Sequence, residues 1–331
     1  MIFEENRETL SKIATLFYIG ELSLSEIADM FNISRFKVAR ILKKCREYGI
    51  IEFHINNKPI YYRNMEIQIC ELLGLEQSII APSGVTVSES KKNVGRAAAK
   101  YLEENLKDGM TVGCDWGSTI QEMVREFSPK KQYKNCLFVQ TSGSVISRYF
   151  TGKGYEYGHD IVKTLAVKVG ASYSLFPAPY IVKDKLLCSL LMLEPAIRKN
   201  RDLFQKIDIA FIGIGSSNFQ NYDLVYKNFL SLEELEALRK YKYSGELLGN
   251  PITMDGQATE SSLTGRVLSI SLDEIKQIPN VVVIGSGADK SISLIAASRG
   301  GFFNRIFIDE MAALNIINYF DADIKKPATY L

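Results

Sequence analysis

SLSEIADMFNISRFKVARILKKCREYGIIEFHI, residues 23–55, spells two short helices, a tight turn and an edge strand. Ser23, with Glu26 three residues on, forms a capping box, and Ile27, Ala28 and Phe31 put one apolar face on the helix that follows. Asn32 and Ile33 make the turn. A second cap, Ser34, opens a helix with Val38, Ile41, Leu42 and Cys45 inward and Arg35, Lys37, Arg40, Lys43, Lys44 and Arg46 outward. No acidic residue stands between Asn32 and Arg46. Gly49 ends this helix, and IIEFHI alternates as a strand does.

That is the outline of a winged helix-turn-helix. Charge runs are most often solvated faces. Here the basic helix follows a capped short helix at helix-turn-helix spacing, starts with small and polar residues suited to a major groove, and runs into an apolar strand. Those features favour DNA as the partner. The expected contact set is Ser34, Arg35, Lys37, Arg40, Lys43 and Lys44, with the first three charged groups near bases and the last two on the backbone.

Upstream, Leu10, Ile13, Ala14, Leu16, Phe17 and Ile19 recur at helical spacing and supply a third helix for the same small core. The Asn56-Asn57-Lys58-Pro59 break marks the boundary, giving a DNA-binding domain over 1–56 and a second domain over 57–331. Tyr62, Met65, Ile69 and Leu72 then form a helical seam that either pairs with a second copy of the chain or packs on its own domain.

The full chain has 331 residues, 46% apolar and 24% charged, with a formal net charge of +2. A balance so near neutral excludes a protein that coats nucleic acid over its whole surface, so DNA affinity would be local and salt dependent. No run approaches the ~18 apolar residues of a membrane span. The acidic start lacks a signal-peptide pattern, so a cytoplasmic location is expected. The five cysteines are scattered without a CxxC pair, and His54 and His159 are the only histidines. That spacing suggests no metal, no disulfide framework and no cofactor, and leaves Ser-His-Asp chemistry without support.

From Gln77 onward, short apolar runs alternate with helical segments. SIIA, MTVGCD, CLFVQT, SYSLF, DIAFIGIG, RVLSIS, VVVIG and RIFID read as strands, which implies a Rossmann-like parallel sheet covered on both faces by helices. Ligands of such sheets sit beyond the carboxyl ends of the strands. Four loops there join glycine to small hydroxyl residues: Asp115-Trp116-Gly117-Ser118-Thr119, Thr141-Ser142-Gly143-Ser144, Gly213-Ile214-Gly215-Ser216-Ser217 and Gly285-Ser286-Gly287-Ala288-Asp289-Lys290. Backbone N–H groups in such loops can approach an anion closely, and the following helix start favours its charge. Each loop alone can equally serve turn geometry. Lys290 adds a point charge if it faces the pocket, and Trp116 is core or pocket wall. No complete dinucleotide fingerprint is present, since GIGSSN lacks the third glycine. Asp115, Asp255 and Asp309 near strand ends are carboxylates that could serve acid–base chemistry or cap helices.

At this point residues 8–318 resemble the SorC family of bacterial transcriptional regulators, grouped with the DeoR-type sugar-phosphate sensors. The segments that carry the resemblance are LSLSEIADMFNISRFKVARILKKCREYGIIEFHI, VGRAAAKYLEENLKDGMTVGCDWGSTI, FPAPYIV, IDIAFIGIGS and GADKSISLIAASRGGFFNRIFIDEMAALNII. It implies an effector domain similar in fold to sugar-phosphate isomerases and glucosamine-phosphate deaminases. It also implies homotetramers that bind operator DNA and answer to a phosphorylated sugar or related metabolite. Gly117 and Thr119 match the family's Trp-Gly-x-Thr loop, Lys290 its Gly-Gly-x-x-Lys motif, and Gly213 and Gly215 its glycine-rich strand end. Asp255 and Gly256 match the end of a Phe-Asp-x-Asp-Gly loop whose leading pair is absent here. Ser118 stands where arginine is common, and Ser142 where some relatives carry a lysine able to bind an aldehyde, which implies binding without a Schiff base. The implied effector set is Gly117, Ser118, Thr119, Ser142, Gly143, Ser144, Gly215, Ser216, Asp255, Gly256 and Lys290. A regulator without catalytic activity is the expectation, and a sugar-phosphate isomerase or deaminase is the alternative.

Overall fold

The computed structural model describes residues 6–51, 53, 60–144, 159–216, 230–240 and 243–324. By internal contacts the chain divides into two compact units, Met1–Pro59 and Ile60–Leu331.

The first unit holds α1 (Arg7–Tyr18), α2 (Leu24–Phe31) and α3 (Arg35–Glu47). Short-range chemistry sets their limits. The Ser23 hydroxyl accepts from Glu26 N while the Glu26 carboxylate accepts from Ser23 N, a complete capping box. Asn32 closes α2 in the left-handed region at φ 51°, which asparagine tolerates better than most residues. The Ser34 hydroxyl accepts from Lys37 N at 3.2 Å and starts α3. Leu10, Ile13, Ile27, Val38, Ile41, Leu42 and Cys45 are buried together in one small core. Ile50 and Ile51 pack on that core, and the Phe53 ring meets Tyr18 edge-on at 5.2 Å. Half of the expected wing strand, His54 included, and the break at 56–59 lie outside the described residues.

The second unit runs α4 (Ile60–Leu73), β1 (Gln77–Ala81), α5 (Val87–Asn105), β2 (Thr111–Cys114), α6 (Ser118–Glu126), β3 (Leu137–Gln140), α7 (His159–Val169) and β4 (Ser172–Ser174). It continues with α8 (Lys185–Leu193), α9 (Pro195–Arg201), β5 (Ile209–Gly213), α10 (Leu232–Lys240), β6 (Gly245–Leu247) and β7 (Asn250–Ile252). Last come α11 (Leu272–Ile275), β8 (Asn280–Ile284), α12 (Ser291–Arg299), β9 (Arg305–Asp309) and α13 (Glu310–Ile324). Seven strands form one parallel sheet in the order β1-β9-β8-β5-β2-β3-β4, and β6 and β7 make a separate antiparallel hairpin.

Alternate strand residues feed two cores, one on each face of the sheet. Ala210, Ile212, Val281, Val283 and Ile306 pack with residues of α4, α9, α12 and α13. Ile209, Phe211, Val282, Ile284 and Phe307 pack with residues of α5, α6 and α7. Strands buried on both sides explain why their sequences read as apolar runs. The unit is therefore a three-layer α/β sandwich.

Two expectations are refined by the fold. Met65 and Ile69 of the α4 seam are buried in this unit's own core, and the Tyr62 hydroxyl donates to Glu310 on α13 at 3.0 Å. The seam thus packs on its own domain. RVLSIS is not a strand of the sheet: Val267 and Ser269 make only isolated antiparallel bridges, to Ile181 and Ser142. It is buried against the strand-end loops, with Leu268 and Ile270 fully covered, and a buried apolar segment looks the same in sequence as a strand.

Candidate functional site

The order of the sheet fixes where a ligand can enter. From β2 the chain moves outward through β3 to β4, then returns to place β5 on the other side of β2 and continues through β8 to β9. The reversal lies between β2 and β5, and an open α/β sheet leaves a crevice beyond the carboxyl ends of the strands at such a point. The loops after β8, β5, β2 and β3 line up across it. Asp115 N donates to Phe211 O at 3.0 Å, carrying the β2–β5 pairing into the crevice.

The four loops do different things. Asp115 is buried after β2, and Ser142 after β3 donates its hydroxyl to the Asp115 carboxylate, tying the two loops together. Burial pushes the Asp115 carboxyl up to about 7, against the Ser142 hydroxyl and the Trp116 backbone N–H, which pull it down. Gly117 and Ser118 are half-buried, Thr119 is buried, and α6 starts at Gly117 with no side-chain cap. In contrast α2, α3, α5, α8 and α11 each begin with a Ser, Thr or Asp oxygen on a backbone amide. The first-turn amides of α6 thus have no side-chain acceptor from the cap, the arrangement an anion can exploit.

Gly143 and Ser144 are spent on structure. A Cβ on Gly143 would stand 2.4 Å from Pro179 O, so the loop after β3 needs glycine to let the Phe176–Val182 segment approach. The Ser144 hydroxyl accepts from the buried Gln140 amide at 3.0 Å.

After β5, Gly215 N donates to Glu246 O at 2.9 Å, and a Cβ on Gly215 would stand 2.4 Å from the Glu246 carboxylate. The β6–β7 hairpin therefore delivers Glu246 to the crevice. There its carboxylate accepts from Gly249 N at 2.6 Å and from the Tyr180 hydroxyl at 3.4 Å. Tyr180 also meets Trp116 edge-on, with ring centroids 4.9 Å apart, so Trp116 is a wall. The buried Ser216 donates its hydroxyl to Asp289 O at 3.0 Å.

After β8, Lys290 lies 4.0 Å from the Asp289 carboxylate. A Cβ on Gly285 would touch the Lys290 stem at 3.9 Å, so the side chain lies over that glycine. Burial pulls the Lys290 ammonium below its ordinary range, with Lys91 adding to that pull, while Asp289 and Glu246 oppose it. Lys290 is thus a partly buried cation in the field of two carboxylates. Asp309 is a brace instead: it accepts from Gly287 N at 3.0 Å, from Ala312 N at 3.3 Å and from the Ser83 and Ser286 hydroxyls.

Asp255 and Gly256 do not join this cluster. Gly256 packs against Gly300 and Ala296 at the carboxyl end of α12, and Asp255 is exposed. Lys290 precedes the amino end of that nine-residue helix, which at ~1.5 Å per residue is ~13 Å long. The expectation that this pair lines the effector site is corrected by the hairpin, which turns the chain away after β7. Sequence reasoning also missed Glu246 and Tyr180. Among the described residues no group of His, Cys, Asp and Glu could hold a metal ion. No helix of the described residues is long and apolar enough to cross a membrane.

On the first unit, Arg35, Arg40 and Lys43 are exposed on α3, while Lys37 and Lys44 are half-buried. Lys43 also lies 3.9 Å from Glu47 across one exposed turn. Ser34 is the cap of α3. Phe36, which sequence reasoning passed over, is 75% exposed on the same helix, with the Arg35 guanidinium 5.1 Å from its ring.

A three-helix unit with a basic third helix, followed by a doubly wound parallel sheet with strand-end loops around a lysine, defines the class of SorC/DeoR-type regulators. Residues 59–318 match the family model described as a putative sugar-binding domain, and the chain belongs to that family. It is 25% identical over 307 residues to an uncharacterised transcriptional regulator of Escherichia coli K12, covering 90% of each chain. It is 24% identical over 300 residues to the sorbitol operon regulator of Klebsiella pneumoniae, covering 88% of this chain and 92% of that one. The crystal structure of the full-length sorbitol operon regulator from Klebsiella pneumoniae superposes with a TM-score of 0.68 at 21% identity, over 93% of this chain and 97% of that one. That likeness shows a shared fold.

Proposed function

We propose that the chain is a DNA-binding transcriptional regulator of a carbohydrate-utilisation operon, controlled by a phosphorylated sugar or sugar alcohol and without catalytic turnover. It works in the cytoplasm as a homo-oligomer, a tetramer in the fullest form of this reading. The observation that carries it is Lys290, partly buried 4.0 Å from the Asp289 carboxylate at a strand-end crevice where α6 starts without a side-chain cap. A lysine and open helix amides suit a phosphate. Asp115 and Glu246 suit the hydroxyl groups of a carbohydrate, since carboxylates accept such hydrogen bonds.

The DNA contacts fall to Arg35, Lys37 and Arg40 at base edges or adjacent phosphates, with Lys43 and Lys44 on the backbone and Ser34 fixing the helix start. The effector acts by binding one state of the assembly better than another, a coupling typically worth ~1–3 kcal/mol. The test is a gel-shift assay on fragments selected from genomic DNA, repeated with a panel of hexose and hexitol phosphates. One or more of these should change retention, and unphosphorylated sugars should not. Retention that no member of the panel alters counts against effector control.

One observation favours a competing reading, an isomerase or deaminase: a buried carboxyl with its pKa at about 7 is poised for acid–base work. Turnover of any panel member by the purified protein would establish it.

A further inference from the structure

The outward line of α3 begins with an aromatic ring. Val38, Ile41, Leu42 and Cys45 turn into the small core, and Phe36, Arg40, Lys43 and Glu47, at steps of four, three and four, share the opposite side. All four of these are exposed. Glu47, the one acid of the helix, stands at its far end. Ser34 caps the helix just before Arg35, which puts Phe36 in the first turn. There the Arg35 guanidinium lies 5.1 Å from the ring centre and steadies it.

A lone apolar residue on a surface needs no explanation. This one stands where a recognition helix meets its target, because the amino-terminal residues of such a helix are the ones that contact base edges. Arg35, Arg40 and Lys43 around it match a polyanion, and whatever brings them to the duplex brings Phe36 into the major groove. A phenyl ring forms no conventional hydrogen bond, so phosphates and the polar base edges offer it little. The major groove displays one apolar group, the C5-methyl of thymine. Side chains that wedge between bases do so from the minor groove instead. We propose that Phe36 is a specificity-determining residue of α3 and packs on the C5-methyl group of a thymine in the operator. Covering both removes apolar surface from water, a gain that cytosine at the same position cannot match.

This inference rests on the reading of the chain as a DNA-binding regulator. Its test uses the full-length chain and one genomic fragment that the gel-shift selection retains. Duplexes of that fragment are made with each thymine in turn replaced by deoxyuridine, which lacks only the methyl group. In anisotropy titrations the wild type should bind about threefold to fivefold more weakly when the contacted thymine is replaced, the worth of one buried methyl group. Phe36→Ala should bind the unmodified fragment more weakly, lose its sensitivity at that thymine and keep an unchanged circular dichroism spectrum. Phe36→Leu, apolar but smaller, should retain part of both. Wild-type binding that no deoxyuridine weakens overturns the contact, and so does a Phe36→Ala variant with the deoxyuridine profile of the wild type. A chain that retains no genomic fragment overturns the regulator reading, and this inference with it, before any thymine is replaced.

Discussion

The Ser142 hydroxyl donates to the buried Asp115 carboxylate, and this bond joins the loops that follow β3 and β2 across the crevice. Burial raises the Asp115 carboxyl to about 7, from an ordinary value of ~3.9. Between those two values the folded chain keeps a proton that the unfolded chain has released. Asp115 therefore contributes stability that is whole below about pH 4, declines as pH rises to about 7, and is gone above it. Asp115→Asn should remove this component, on the order of a few kcal/mol. Denaturant unfolding at pH 5 and pH 8 checks it: the wild type should lose more stability between them than the variant. Equal losses would show that Asp115 does not titrate in this window.

Gly215 is the residue on which the approach of Glu246 depends. A Cβ there would stand 2.4 Å from the carboxylate, which must swing away. Gly215→Ala should leave operator binding intact and reduce effector affinity tenfold or more, about 1.4 kcal/mol. Titration calorimetry with the phosphate that scores in the gel-shift panel provides the measurement.

Exposed Arg40 on α3 is expected to carry DNA affinity. Arg40→Ala should cost ~1–3 kcal/mol of operator binding. Lys43→Ala should weaken binding to all sequences alike and flatten the salt dependence by about one counterion. Fluorescence anisotropy at several salt concentrations separates the two effects.

Gly256 holds φ +73°, and a Cβ there would come within 2.1 Å of Gly300 N. Gly256→Ala should therefore lower stability by at least ~1–3 kcal/mol. Asp255→Ala, at an exposed position beside it, should change neither stability nor effector response. A lost effector response in Asp255→Ala would return this loop to the site.

What could be read from the sequence was what neighbouring residues decide. The capping box of Ser23 and Glu26, the cap at Ser34 and the inward stripe of α3 rest on contacts within four residues, and all are present. The apolar strands and their glycine loops were equally plain. Long-range pairing was not. Glu246 reaches the crevice because the β6–β7 hairpin bridges to Gly215, and nothing near Glu246 in the chain announces it. Asp255 and Gly256 were misplaced for the same reason, lying three and four residues beyond the end of β7. Gly143 looked like an anion cradle, yet its lack of a side chain serves the approach of Pro179. A glycine pattern records that the backbone must come close to something, without saying whether that is a ligand or another stretch of chain.

A phosphate at Lys290 is proposed to govern what α3 does with DNA. The most direct test is operator retention by wild type and Lys290→Ala, side by side, with and without the hexose and hexitol phosphates. Both proteins should retain operator in the absence of added phosphate ester, and only the wild type should change its retention when the active ester is added. A Lys290→Ala variant that responds to the ester as the wild type does would contradict the claim.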